Sequence, residues 1–222
     1  MIGRMTRRTS VLISTALVLC AAISATGQTP GAPPRMTQLT ESDLSPAQKP
    51  LAADILKVSS VGIGGPYNLL LRSPELGARI FSLLDYLRFN TSVPRRLNEF
   101  AILIQSRLWT SQVEWQAHYP LAIKAGLAAH VADDLKAGRR PSGMQPDEAA
   151  VYDLCMELST THAVSDATYR RAAALFSEQQ IVDLVAVSGT YVSLAMLMNA
   201  TNQSVPQGAT PPLQPLSAPP RP

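Results

Sequence analysis

The stretch PRRLNEFAILIQSRLW, residues 94–109, decides how the rest of the chain is read. Leu97, Phe100, Ala101, Ile102, Leu103, Ile104 and Leu108 cover nearly the whole circumference of a helix drawn through it, with Pro94 at its start. A helix apolar on all sides belongs in the interior of a larger helical packing, not on its surface. Glu99 lies within this segment. A carboxylate in such a position must be paired or must hold its proton, because an isolated buried charge is costly. His118, Arg107 and Arg96 are the candidates to pair with it.

Working outward, the same punctuation recurs on both sides. Towards the C-terminus, a segment from about Ser111 to Lys124 ends at Gly126, with Pro120 expected to bend or break it. A short helix from Ala128 to Ala137 stops at Gly138. Pro146, Asp147 and Glu148 open a helix through Leu158, with acids in the first turn where the helix dipole favours them. Ser165 caps a helix reaching Phe176, and Ser177-x-x-Gln180 is a capping-box pattern for the last and longest one, to about Asn199. That helix is rich in Val, Leu, Ala and Met, an apolar surface wide enough to face a neighbouring subunit as well as its own core. Towards the N-terminus, Ser73-Pro74 starts a helix with Leu76, Ile80, Leu84 and Leu87 at helical spacing. Gly62, Gly64, Gly65 and Pro66 read as a loop, and a first helix is expected from Ser45, with Pro46 at its first position and Leu51, Ile55 and Val58 on one side. The expectation is all-α, a single helical domain over residues 45–204.

Both ends read differently. Arg4, Arg7 and Arg8 precede an uncharged, mostly apolar stretch from Val11 to Ala25, and small residues follow, so residues 1–27 have the form of an export signal. The apolar stretch is short for a bilayer, which needs ~20 residues, so cleavage is expected rather than a retained membrane span. A general secretory signal is favoured; Thr6-Arg7-Arg8 only hints at the twin-arginine type. The expected location is periplasmic or secreted. Residues 28–44 read as a disordered lead-in, and residues 205–222, with seven prolines, as a disordered tail.

Charge and cysteine use exclude several classes. Removing Arg4, Arg7 and Arg8 from the 19 basic residues leaves 16 against 16 acidic ones, with no basic stripe, so nucleic acid is not an expected partner. Of the 2 cysteines, Cys20 leaves with the signal and Cys155 stays, so an intramolecular disulfide and dithiol chemistry within one chain are excluded. Cys155, among Val151, Leu154 and Leu158, reads as a small buried apolar residue. The 3 histidines show no metal-ligand spacing, and His130 and His162 read as surface residues. No metal or other cofactor is implied.

The chemistry-bearing residues cluster after the apolar helix. Ser111, Glu114 and His118 stand three and four apart on one helical face, so Glu114 is positioned to hydrogen-bond His118 and fix its tautomer. A carboxylate beside an imidazole is an acid–base unit for work near neutral pH. Alone, such a spacing also describes a solvated helix face; the buried Glu99 tips it towards a site. Trp109 and Trp115 flank this site, as core packing or as the wall of an apolar pocket. Arg107 fits either a structural ion pair or a fork that grips a substrate carboxylate. The candidate catalytic residues are therefore Glu99, Glu114 and His118, and the candidate substrate contacts Arg107, Ser111 and Trp115.

The run RLNEFAILIQSRLWTSQVEWQAH, residues 96–118, followed by PLAIKAG, residues 120–126, resembles the signature of the carboxymuconolactone decarboxylase family. The resemblance spans residues 65–200 and is sharp from 95 to 126. It implies an all-helical subunit assembled as a trimer or hexamer. In the family's redox branch, similar to alkyl hydroperoxidase D, Glu, eleven residues and then Cys-x-His-Cys-x-x-x-His carry the chemistry. That spacing falls here on Glu99, Ser111, Val113, Glu114 and His118: the outer Glu and His are kept, and both cysteines and the inner His are replaced. A thiol peroxidase cycle then lacks its thiolate and its resolving thiol, unless Cys155 acts alone or between subunits. The other branch decarboxylates or opens a lactone acid by proton transfer without a cofactor. The resemblance thus implies cofactor-independent acid–base chemistry on a small carboxylated lactone or related acid. The alternative is a non-catalytic helical oligomer that binds a ligand on the same scaffold.

Overall fold

The computed structural model describes residues 33–216, apart from residues 60 and 207; the expected export signal lies outside the described residues. Those residues form nine α-helices and no strand: α1 Lys49–Val58, α2 Pro66–Leu70, α3 Pro74–Phe89, α4 Arg95–Leu108, α5 Gln112–Lys124, α6 Ala129–Lys136, α7 Pro146–Thr161, α8 Asp166–Ala173 and α9 Glu178–Ala200.

The apolar helix α4 is the centre of the molecule. Leu97, Phe100, Ala101, Ile102, Leu103 and Ile104 are all at most 1% exposed, and α5, α6, α7 and α9 pack around them. Burying each of the larger side chains is worth roughly 1.5–3 kcal/mol, so this one helix carries a large share of the core. Its N-terminus is tied to that of α7 by Arg96, which reaches Asp147 at 2.7 Å and also pairs with the buried Glu148. α9 is long and apolar enough to span a membrane by length and composition, yet it packs here on α2, α3, α4, α7 and α8. Its start is pinned by Asp183, which accepts hydrogen bonds from the Ser92 N–H at 3.1 Å, the Ser92 hydroxyl at 3.0 Å and the Tyr86 hydroxyl at 3.2 Å. Val182, Val185 and Met196 on the same helix remain exposed.

Several local expectations are corrected. The first helix begins at Lys49, not Ser45; residues 46–48 form a turn, and Pro50 takes the place in the first turn expected of Pro46. Leu51 and Ile55 are buried, but Val58 is exposed. The glycine loop runs straight into the short helix α2 at Pro66. Leu76 faces solvent because Gly77, not Leu76, meets α2: a Cβ on Gly77 would collide with the Leu70 carbonyl oxygen. Pro120 does not interrupt α5, which runs continuously to Lys124.

The ends are also less free than composition implied. The Leu39 N–H donates to Asn68 Oδ1 at 2.9 Å, and the Arg35 N–H donates to the Thr201 carbonyl at 2.8 Å. In the tail, Leu213 is 2% exposed and joins the core, and the Gln112 amide brackets its backbone, donating to the carbonyl and accepting from the N–H, both at 2.8 Å.

Candidate functional site

The turn between α4 and α5 creates the site. Thr110 adopts a left-handed conformation (φ 50°), and the Ser111 N–H donates to the Ser106 carbonyl at 2.8 Å. The chain reverses there, and α5 runs back along α4. Residues on either side of the reversal become neighbours, so Glu99 on α4 faces His118 on α5.

These two residues are in direct contact. His118 Nδ1 lies 2.7 Å from Glu99 Oε2. Glu99 is 2% exposed and His118 7%. The second Glu99 oxygen, Oε1, lies 3.7 Å from an Arg95 guanidinium nitrogen one turn earlier on α4. Arg96 and Arg107, the other expected partners, are not engaged with it: Arg96 is committed to α7. With Nδ1–H donating to Glu99, the His118 Nε2 is left as the acceptor.

Glu114 does not bond to His118, contrary to the expectation from their spacing. Spacing places two side chains on one helical face, but His118 uses its Nδ1 across the helix pair. Glu114 is 3% exposed, and neither of its carboxylate oxygens has a hydrogen-bond partner. Burial pushes its carboxyl up to about 8, while the nearby Ser111 and Ser106 hydroxyls pull weakly the other way. Neither hydroxyl closes a well-formed hydrogen bond onto it: Ser106 donates to the Ile102 carbonyl at 2.8 Å, and Ser111 Oγ has no partner. Burial therefore favours the neutral acid over the carboxylate at Glu114.

The other nominated residues separate. Ser111, at 1% exposure, occupies the N-cap position of α5 one turn before Glu114, but its hydroxyl makes no capping hydrogen bond. Trp115 is core, 2% exposed and tilted against Tyr119 with ring centres 6.1 Å apart. Trp109 stands at the surface, 36% exposed. Arg107 is buried at 2% exposure, and its Nε and Nη1 have no partner; desolvation lowers its pKa. It reaches towards Gly138, on which Leu216 of the tail is seated. His130 and His162 are exposed.

Tyr191 was not anticipated. It projects from α9, is 3% exposed, and meets the His118 ring edge-on with centres 5.0 Å apart. Burial raises its pKa, and the positive charge of Arg88 opposes that. The one signal in sequence was an aromatic residue alone in an otherwise aliphatic helix. Cys155 is 1% exposed, its thiol contacts the Ser188 hydroxyl at 3.2 Å, and burial pushes it up to about 11. A thiol in that setting is a poor nucleophile, which removes the basis for a single-cysteine peroxidase. Among the described residues, no group of three or more His, Cys, Asp or Glu side chains could hold a metal ion.

No protein-family model matches the sequence. No curated protein matches it either. Among solved structures, the chain is similar to an uncharacterized peroxidase-related protein of Ralstonia eutropha JMP134, described as an alkylhydroperoxidase AhpD core. The TM-score is 0.61 at 13% identity, over 75% of this chain and 89% of that one. At this identity the likeness defines the fold. The protein is an all-helical chain of the AhpD-like fold.

Proposed function

We propose that this chain is a cofactor-independent acid–base enzyme, carboxymuconolactone decarboxylase-like, acting on a small carboxylated lactone or related carboxylic acid. The observation that carries the reading is the pairing of opposites in one buried cluster. Glu99 holds the His118 ring at 2.7 Å, and Glu114, on the same helix as His118, keeps its proton to about pH 8. An imidazole held by one buried carboxylate, beside a second carboxyl that burial keeps protonated, offers a base and an acid together.

In this scheme His118 Nε2 takes or relays a proton from the substrate. Loss of carbon dioxide leaves the bonding electron pair on the adjacent carbon. Glu114 delivers its proton to that carbon, and the proton taken by His118 returns through solvent to Glu114, so both residues end as they began. Proton accounting closes without an oxidant or a metal. His118 keeps 9% of its side chain exposed, which supports it as the member a substrate meets first. The exposed Val182, Val185 and Met196 on α9 support a homo-oligomer, a trimer or hexamer on the resemblance, in which that face is covered.

The test is carbon dioxide release from a panel of small lactone carboxylic acids. His118→Ala and Glu114→Gln are expected to abolish it while circular dichroism shows the fold intact. Undiminished release by both variants would remove the proposal. The depth of Glu99 and Glu114, 2% and 3% exposed, favours a second reading, a ligand-binding helical oligomer without chemistry. Saturable binding of a lactone acid with no product formed would select it.

A further inference from the structure

The sequence leaves Arg107 two roles, one half of a structural ion pair or a fork for a carboxylate, and the structure removes the first. Arg107 sits in the last turn of α4 at 2% exposure, and no acid among the described residues pairs with it. Its Nε and Nη1 are buried without a hydrogen-bond partner, and desolvation alone lowers its pKa. The guanidinium points to the end of α6, where the exposed carbonyls of a helix terminus are natural acceptors. Those carbonyls already accept elsewhere: Asp133 from the Ala137 N–H, Asp134 from the Arg139 N–H and Leu135 from the Gly138 N–H. A buried guanidinium that no group neutralises is costly, and an anion is what relieves both its charge and its orphaned N–H groups.

The C-terminal tail closes over this position. Pro211, Pro212 and Pro215 lack an N–H and favour an extended backbone, so the segment builds no helix of its own. It is fastened at two points. Gln112, the first residue of α5, holds the Leu213 backbone through both of its amide atoms, and the Leu213 side chain is buried. Three residues further on, Leu216 lies against Gly138. Gly138 has a left-handed backbone (φ 74°), and a Cβ built on it would stand 2.6 Å from Leu216 Cδ2 and 3.8 Å from Arg107 Nη2. Leu216 and the guanidinium therefore meet over the same bare backbone, at a spot that any other residue at 138 would fill. Residues 213–216 run from the α4–α5 turn to the end of α6, with Arg107 beneath them.

We propose that Arg107 is a binding site for a small organic carboxylate, roofed by residues 213–216 as a strap that lifts to admit it. A carboxylate matches the two-pronged donor face of a guanidinium. The leucines of the strap favour an organic acid with a short apolar body over inorganic phosphate, whose stronger hydration would have to be stripped beneath them. The inference concerns binding and does not rest on the acid–base reading.

Phenylglyoxal labelling of the full chain, with each arginine followed by peptide mass spectrometry, tests this with butyrate and its uncharged isostere butyramide. Arg107 is expected to label slowly in the wild type, about tenfold or more slowly again in saturating butyrate, and at an unchanged rate in butyramide. The exposed Arg79 is the control, and its rate should not respond to either compound. Gln112→Ala, which removes both bonds to Leu213, should label Arg107 severalfold faster, with butyrate still protecting it. In calorimetry, Arg107→Gln should weaken butyrate about tenfold or more, the loss of charge-assisted hydrogen bonds, and Arg107→Lys, which keeps the charge without the fork, should recover part of that loss. Labelling of wild-type Arg107 that is indifferent to butyrate, or slowed as much by butyramide, would overturn the site. Equal labelling of Arg107 in Gln112→Ala and the wild type would overturn the strap.

Discussion

Glu114→Gln should remove a pH dependence of stability and, by pH 7, already make the protein about 3 kcal/mol more stable than the wild type. An ordinary glutamate titrates near 4.5, and burial moves Glu114 to about 8. Below 4.5 both the folded and the unfolded chain carry the proton. Between 4.5 and 8 only the folded chain does, so each rise in pH favours unfolding; above 8 both have lost it and the dependence levels off. At ~1.4 kcal/mol per pH unit, the full displacement is worth on the order of 5 kcal/mol of stability, lost as pH climbs through that window. Glutamine mimics the neutral acid in shape and never ionises. The variant should therefore match the wild type near pH 5, exceed it by several kcal/mol at pH 9, and lose this part of the slope. Urea unfolding followed by circular dichroism from pH 5 to 9, on both proteins, measures it. Parallel curves for the two would show that Glu114 ionises normally, and the acid assigned to it would be lost.

Cys155 should resist alkylation in the native protein over hours at pH 8 and react at once in denaturant, followed by mass spectrometry; its burial and its raised thiol both demand this. Leu103→Ala, at a fully buried position on α4, should cost about 2–5 kcal/mol in urea unfolding through the cavity it leaves. Gly77→Ala should lower the melting temperature clearly, because the added methyl meets the Leu70 carbonyl and forces α2 from α3. Val185→Glu should shift the protein to a smaller species in light scattering if the exposed face of α9 is the subunit contact, and leave it unchanged if that face meets solvent.

The central helix was legible before any coordinates because its pattern has one physical solution: apolar residues on every side must be surrounded. Cap residues such as Ser165 and Ser177 were legible for a similar reason, since a side-chain oxygen placed before a helix meets an orphan N–H, and both do so here. The pairing within the site was only half legible. Spacing along α5 set Glu114 and His118 on one face, but which neighbour takes the imidazole proton depends on how α4 lies against α5, and that follows from the reversal at Thr110. Tyr191 comes from α9, far away in sequence, and no local pattern could bring it against His118. Composition described residues 205–222 as a disordered tail; within it, Leu213 is buried and its backbone has an amide partner in Gln112, a contact that proline content does not reveal.

The claim on which the rest depends is that Glu99, Glu114 and His118 act on one bound molecule. A crystal structure of the protein soaked with γ-butyrolactone γ-carboxylic acid measures this directly. The account predicts the lactone acid bound within hydrogen-bond reach of both His118 Nε2 and Glu114. A ligand bound elsewhere, with Glu114 and His118 still packed away from it, would contradict it.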